Sequence, residues 1–218
     1  MEKESSNWSE ISENASELSK KIKQNFQQES IVKDLNESFS ETIESTSNIF
    51  LTLSNTIDTT IKDEEIKKEM TKEFIDFYSK NIDKNSVPIK GAVDFFNWAK
   101  NKNISMAVCT NKQERLAIDL LKKLDLFKFF EYVAGSDTFA FNKPDPRHLT
   151  DVVEIIGGDL KKTMMIGDSE VDALSAHNAK LPFVLVKDGY TEKTEKEIKH
   201  NELISDFENF EKIIEKYL

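Results

Sequence analysis

The first 87 residues of the chain contain no glycine and no proline, because all six glycines and all four prolines lie at or after Pro88. Glycine accepts positive φ and proline fixes tight turns, so their absence indicates long helices in this part of the chain. Cysteine is almost absent too. Cys109 stands alone, which excludes an internal disulfide and predicts a reducing, cytoplasmic location.

The chain also lacks a net positive charge and long apolar runs. The formal net charge is −10, which argues against a nucleic-acid partner because phosphate backbones attract basic surfaces. No segment approaches the ~20 apolar residues that span a bilayer, so we expect no membrane partner. The first ten residues, MEKESSNWSE, lack the apolar core of a signal peptide.

Residues 1–62 predict an amphipathic helical module, since apolar residues recur at spacings of three and four. The two series run Trp8, Ile11, Ala15, Leu18, Ile22, Phe26 and then Ile31, Leu35, Phe39, Ile43, Phe50, Leu53, Ile57, Ile61. Such narrow stripes need a partner surface, either the rest of this chain, a second copy or another protein. A third helix is predicted from about Lys62 to Asn81.

From residue 88 to residue 218 the pattern changes to alternating helices and strands. Apolar strand-like segments end near Thr110, Asp137, Asp168 and Asp188, and amphipathic segments of about ten residues separate them. This alternation predicts right-handed βαβ units and a parallel sheet. In such sheets the chemistry lies at the carboxyl ends of the strands, where Thr110 and Asp168 fall.

Thr110 is followed by Asn111 and Lys112 at the predicted start of a helix. A hydroxyl beside free backbone N–H groups suits an anion, although a plain helix cap is the alternative. Lys143 lies in the segment FNKPDP, in which Pro144 and Pro146 stiffen the loop. A lysine held in this way could neutralise a phosphoryl oxygen, and an ordinary surface lysine is the alternative.

Asp168 and Asp172 lie in the segment MIGDSEVD, one helical turn apart after a strand. Their carboxylates could face one point, and hard oxygen ligands at a strand end suit Mg²⁺. The alternative is that Asp168 caps the helix and Asp172 faces solvent. Taken alone each of these motifs is weak, and their joint order carries the interpretation.

That order, T-N-K, then K-P-D-P, then G-D-S-x-x-D, resembles the haloacid-dehalogenase-like hydrolases, in particular the phosphoglycolate phosphatase branch, over residues ~71–218. The resemblance implies a Mg²⁺-dependent hydrolase of small phosphorylated substrates. It implies that Thr110 and Asn111 hold the phosphoryl group and that Lys143 offsets its charge. It further implies that Asp168 binds Mg²⁺ and that Asp172 supports the metal or its waters.

The resemblance also implies a first strand that carries Asp-x-Asp-Gly-Thr and supplies the nucleophile, between the strands ending at Thr110 and Asp168. The first glycine is Gly91, so this motif is not found. The nearest segment, SIVKDLNESFSET, offers Asp34 as a nucleophile, but Asn36 replaces the acid/base, Glu37 replaces the glycine, and the apolar spacing is helical.

We therefore expect a Rossmann-like α/β fold that lacks the family's first strand and follows an all-helical N-terminal segment. Residues 1–62 would form the helical module, residues 63–87 a remnant of the family's helical cap, and residues 88–218 the core. Loss of the first strand would leave two inner strand edges unpaired, so that something else fills the gap or the two strands pair directly. We therefore expect a truncated or fused reading frame. The alternative function is an inactive phosphate- or Mg²⁺-binding domain joined to a helical interaction module. A glycine that the family places near Lys180 is missing, which should affect only a turn.

Overall fold

A computed structural model describes residues 68, 71–72, 75, 79, 82, 86–189, 191 and 193–217. The chain divides into two units, Met1–Ser86 and Val87–Leu218. In the first unit the described residues from 68 to 79 are helical and fall within the predicted third helix. The helices predicted for residues 1–62, and Asp34 with them, lie outside the described residues.

The second unit alternates helices and strands. Its elements are α1 (Ala92–Asn101), β1 (Ala107–Cys109), α2 (Glu114–Lys123), β2 (Tyr132–Ala134), α3 (Arg147–Ile155), β3 (Met165–Gly167), α4 (Glu170–Asn178), β4 (Phe183–Val186), β5 (Glu202–Ile204) and α5 (Glu211–Ile214). Short 3₁₀ helices at Phe127–Phe129 and Leu160–Lys162 precede β2 and β3. The alternation confirms the predicted α/β class. Among the described residues, no helix is long and apolar enough to cross a membrane.

The three strand pairs among the described residues are all parallel, as the alternation with helices predicts. β1 pairs with β2, and β3, β4 and β5 form a second strip with β4 in the middle. Within residues 86–189 and 193–217, no pairing joins β1 to β3. The two strands therefore do not pair directly with each other, which was one of the two arrangements expected for the inner edges.

The C-terminal segment and α1 share one apolar core. α1 buries Ala92, Phe95 and Ala99, which follow the spacing of a single helical face. The Phe95 ring contacts the rings of Phe207 and Phe210, with centroid distances of 5.6 Å and 4.8 Å. These aromatic contacts fix the segment before α5 against α1.

The turn after α4 takes the strain expected from the missing glycine. Lys180 adopts a φ of +59°, in the left-handed region that favours glycine. For a residue with a Cβ this conformation costs roughly 1 kcal/mol. The departure from the family's pattern is therefore confined here to a turn away from the strand ends.

Candidate active site

Thr110 follows β1 directly, at the carboxyl end of the strand. Its backbone N–H donates to the Ala134 carbonyl oxygen over 2.9 Å, which continues the β1–β2 ladder by one residue. Its hydroxyl oxygen accepts the Lys112 backbone N–H over 3.1 Å. The Thr110 side chain thus closes the turn that leads into α2, which resembles the cap given above as the alternative to an anion-binding role.

The loop that carries Lys143 is attached to the end of β1 and to α3. The Asn111 side-chain amide donates to the Lys143 carbonyl oxygen over 2.9 Å. The Lys143 backbone N–H donates to Nδ1 of His148 over 3.2 Å. The peptide bond between Lys143 and Pro144 is cis. These bonds fix both sides of the Lys143 backbone beside Thr110.

Lys143 and Asp172 form a buried ion pair. The Lys143 Nζ lies 2.5 Å from Oδ1 of Asp172, and the two side chains are 9% and 6% exposed. Burial on its own would raise the pKa of the Asp172 carboxyl. The charge and hydrogen bond of Lys143, with hydrogen bonds from Ser169 and the Asp168 amide, outweigh burial and lower that pKa below its ordinary value. Asp172 is therefore ionised at neutral pH.

The second oxygen of Asp172 is occupied as well. Oδ2 accepts the Asp168 backbone N–H over 3.1 Å, the Ser169 backbone N–H over 3.2 Å and the Ser169 hydroxyl over 2.8 Å. Ser169 caps α4, and Asp172 reaches back to the cap, which completes a capping box. Because donors engage both oxygens, Asp172 fixes the backbone of Asp168 and the ammonium of Lys143 at once.

Two glycines allow the chain to pack closely around the end of β3. A Cβ on Gly189 would lie 2.3 Å from both Cβ and the carbonyl oxygen of Asp168. A Cβ on Gly167 would lie 2.6 Å from Cβ of Asp172. Both distances are far below van der Waals contact, so only glycine fits at these positions. The loop after β4 therefore lies directly against Asp168.

An open groove of about 480 Å³ borders Asp168 on the side of that loop. It is lined by the segment from Leu185 to Gly189 and by residues between Thr191 and Ile198. The Thr191 hydroxyl donates to the Glu170 carboxylate over 2.5 Å, which ties this loop to the start of α4. A small molecule can therefore approach Asp168 from solvent.

Cys109 is not a nucleophile in this site. Burial raises the pKa of its thiol to about 11, so the thiolate is negligible at neutral pH. The Cys109 Sγ lies 3.8 Å from the carbonyl oxygen of His148. Its contribution is packing at the end of β1.

Four of the predicted residues are linked by direct contacts. Asn111 contacts the Lys143 backbone, the Lys143 ammonium contacts Asp172, and Asp172 contacts the Asp168 backbone. Asp34 lies outside the described residues and is not placed. In the described part of the chain, no group of three or more His, Cys, Asp or Glu side chains could hold a metal ion.

Two residues that shape the site had no role in the sequence analysis. His148 is fully buried and holds the Lys143 backbone, and no sequence signal distinguishes it from any other helical residue. Burial and the nearby Lys143 charge hold the pKa of His148 below its ordinary value, so its ring is neutral. Ser169 could have been found, because Ser-x-x-Asp before a helix is a variant of the capping box.

Comparison with known proteins gives the same family as the motifs. A family model described as haloacid dehalogenase-like hydrolase matches residues 14–186. A phosphoglycolate phosphatase from Mesorhizobium japonicum is 39% identical over 139 residues, covering 64% of this chain and 61% of that protein. One from Caulobacter vibrioides is 42% identical over 131 residues, covering 60% and 55%. The chain thus matches less than two thirds of the length of these relatives.

Solved structures agree on the fold. A predicted phosphoglycolate phosphatase from Haemophilus somnus superposes with a TM-score of 0.69 at 23% identity, covering 74% of this chain and 76% of that one. A predicted phosphatase from Clostridium acetobutylicum superposes with a TM-score of 0.62 at 20% identity, covering 75% and 77%. The family match, which extends over most of the sequence, shows that this chain belongs to the haloacid dehalogenase-like hydrolases.

Proposed function

We propose that the protein hydrolyses small phosphomonoesters in a reaction that depends on Mg²⁺. The relatives from Mesorhizobium japonicum and Caulobacter vibrioides are named phosphoglycolate phosphatases, which supports the choice of substrate class. The observation that carries this proposal is the Lys143–Asp172 ion pair at the strand ends, beside Thr110 and Asp168. A fixed, water-poor ammonium next to a hydroxyl and backbone donors stabilises phosphoryl oxygens far better than a mobile surface lysine does.

In the proposed site, Thr110 and the Asn111 amide hold the transferring phosphoryl group, and Lys143 neutralises one of its oxygens. Asp168 would hold Mg²⁺, which takes one or two protein carboxylates and keeps water in its other positions. That ion would supply charge neutralisation for the phosphoryl oxygens. Asp172 acts by positioning, since donors engage both of its oxygens.

The reaction forms a bond between a carboxylate oxygen and phosphorus while the bond from phosphorus to the substrate oxygen breaks. The leaving alcohol takes a proton from a general acid, and water then hydrolyses the aspartyl-phosphate to return the carboxylate and free phosphate. Asp34 is the candidate nucleophile within this chain.

Phosphate release from 2-phosphoglycolate and from p-nitrophenyl phosphate, with MgCl₂ or with EDTA, tests the proposal. We expect Mg²⁺-dependent release, and a fall in kcat/KM of about a hundredfold or more in Asp168→Ala. The exposed Glu154 on α3 gives a matched control, and Glu154→Ala should retain the wild-type rate. No release by the purified wild-type chain contradicts the proposal.

A second candidate is binding of phosphate and Mg²⁺ without turnover. It is supported by the hydrogen bonds and the ion pair of Asp172, which occupy both of its carboxylate oxygens. A rise in Tm with phosphate and Mg²⁺ together, without phosphate release from either ester, would support it. An unchanged Tm with both ligands excludes it.

A further inference from the structure

The imidazole ring of His148 lies in the first turn of α3 and supports the loop that carries Lys143. The Lys143 backbone N–H donates to Nδ1 of His148 over 3.2 Å. A backbone N–H can only donate, so Nδ1 must offer its lone pair, and the proton of the neutral ring must be on Nε2. This hydrogen bond therefore exists in one tautomer only and is lost when Nδ1 gains a proton.

The surroundings of the ring isolate it from water. The His148 side chain is 0% exposed, and the Phe139 ring packs edge-on against it with a centroid distance of 5.8 Å. Among the described residues, Nε2 finds no hydrogen-bond partner. Because solvent does not reach the ring, no water molecule can replace the bond between Nδ1 and the Lys143 N–H once that bond is lost.

The charges around the ring oppose its protonation. Burial disfavours any charge, and with the Lys143 ammonium it holds the pKa of His148 below its ordinary value. The Gly135 carbonyl oxygen and the carboxylates of Asp145 and Asp151 act in the other direction and are outweighed. The positive end of the α3 dipole also disfavours a cation in the first turn.

The elements packed against α3 are β1, β2 and α4. On β1, burial raises the pKa of the Cys109 thiol to about 11 and keeps it neutral. On β2, Tyr132 is at the amino end of the strand, opposite the end that opens on the site. On α4, the Asp172 charge is matched by the Lys143 ammonium. A proton on His148 would thus add a positive charge beside an ammonium that already uses the Asp172 carboxylate.

Lys143 is held from three elements that respond differently to pH. The Asn111 amide binds its carbonyl oxygen, His148 accepts its N–H, and Asp172 binds its ammonium. An amide does not titrate, and the lowered pKa of Asp172 keeps that carboxylate charged well into the acidic range. The imidazole is therefore the one of these three supports that mild acid can remove.

We propose that His148 is a positioning residue for phosphoryl transfer, and that the Lys143 ammonium keeps its place only while the His148 ring is neutral. Protonation replaces the Nδ1 lone pair by an N–H that faces the Lys143 N–H, so the loop moves and the ammonium no longer meets the phosphoryl oxygen. This inference rests on the proposed function, and it predicts an acid limit of the reaction that His148 sets.

Two nearly isosteric variants separate the acceptor from the volume of the ring. In His148→Asn the carboxamide oxygen takes the place of Nδ1 and accepts the Lys143 N–H at every pH, whereas His148→Leu removes the acceptor. With p-nitrophenyl phosphate at neutral pH, kcat of His148→Leu should fall about tenfold or more, and kcat of His148→Asn should stay within about threefold of the wild type. Equal losses of kcat in the two variants overturn the proposal.

The pH profile decides the matter even if His148→Leu fails to fold. As the pH falls below the ordinary histidine pKa of about 6.5, the ratio of kcat in His148→Asn to kcat in the wild type should rise, because only the wild type loses the acceptor. Ionisation of the ester affects both proteins alike and cancels in this ratio. His177→Asn, at the other end of α4, is the control and should keep the wild-type profile. A ratio that does not change with pH overturns the proposal.

NMR separates this inference from the phosphatase function. The Lys143 amide proton resonance should follow the titration of the His148 ring in the wild type and should not shift in this range in His148→Asn. An amide that ignores the ring overturns the proposal. If the amide follows the ring and the wild type releases no phosphate, the phosphatase function is removed, and inorganic phosphate with Mg²⁺ must then bind more weakly to His148→Leu than to His148→Asn. Phosphate release with a constant kcat ratio leaves the phosphatase function and removes the role of His148.

Discussion

At the scale of single residues, Lys143 and Asp172 form an ion pair that is almost completely shielded from solvent. A buried ion pair adds little net stability, because desolvation of the two groups offsets their attraction. Removing one partner is costly, because the other charge stays buried and uncompensated. The pair therefore contributes mainly position: it keeps one ammonium at the strand ends.

Lys143→Met should lower the free energy of unfolding by about 3 kcal/mol at neutral pH, because the Asp172 charge loses its counterion. The exposed Lys161 provides the control, and Lys161→Met should change stability by less than about 0.5 kcal/mol. Urea unfolding followed by circular dichroism measures both. Similar losses in the two variants would show that the ion pair has no structural role.

The lowered pKa of Asp172 also gives the pair a pH dependence. Its contribution to stability is complete above the ordinary aspartate pKa of about 3.9 and disappears as the pH falls through the lowered pKa of the folded state. In Lys143→Met burial of Asp172 loses its main counterbalance, so protonation relieves the buried charge and the stability deficit relative to the wild type should shrink as the pH falls. Unfolding at a series of acidic pH values records the difference.

The fold disfavours the charged form of Lys112, whereas it favours the charged form of Asp172. Burial lowers the pKa of its ammonium to about 8, against 10.5 in the unfolded chain. Between these values the unfolded state binds a proton that the folded state does not, so stability rises with pH. Relative to Lys112→Met, the wild type should gain up to about 1.4 kcal/mol per pH unit in this range. Lys102→Met, at an exposed position, should follow the wild type. If the difference in the free energy of unfolding between the wild type and Lys112→Met does not change with pH, the pKa of Lys112 is not lowered.

At the scale of elements, the end of β2 and the start of α2 touch without a side chain between them. A Cβ on Gly135 would lie 2.1 Å from the Glu114 backbone nitrogen. The Thr138 hydroxyl accepts the Gly135 N–H over 2.7 Å and donates to the Glu114 carboxylate over 2.5 Å. This contact fixes the start of α2, and with it the turn that holds Thr110.

Gly135→Ala should therefore destabilise the protein more than Gly157→Ala. The first change forces two backbones apart and should cost about 3 kcal/mol. Gly157 has open space around it but a φ of +69°, so its replacement should cost only about 1 kcal/mol for the left-handed conformation. Thermal unfolding of both variants compares them. A larger loss in Gly157→Ala would show that backbone conformation, and not close approach, governs these glycines.

At the scale of the whole second unit, the aromatic contacts between α1 and the C-terminal segment close the core. Phe210 is 1% exposed and lies against Phe95 and Phe207. Phe210→Ala should cost about 3–5 kcal/mol, because it removes buried apolar surface and leaves a cavity. Phe127 is 38% exposed, so Phe127→Ala should cost much less. If denaturant unfolding shows equal losses of stability in the two variants, Phe210 does not belong to the apolar core.

The sequence predicted the order and type of the elements in this unit, because helices and strands leave different apolar periods. It predicted their lengths less well. The segment ISMAVCT suggests a seven-residue strand, whereas β1 has three residues. Strand bounds depend on ladder partners, and β1 pairs on one side only among the described residues, a tertiary fact that no local pattern contains.

The candidate site was predictable in its members but not in its contacts. Thr110, Lys143 and Asp168 could be found because strand ends and prolines mark their places. The pairing of Lys143 with Asp172 joins residues 29 positions apart, and His148 supports Lys143 from a helix interior. Such contacts follow from how α3 and α4 pack, which the sequence does not show.

The close packing at the end of β3 has one more consequence. A Cβ on Gly189 would collide with both Cβ and the carbonyl oxygen of Asp168. The loop after β4 and the end of β3 therefore cannot shift independently, so a displacement of one is passed on to the other.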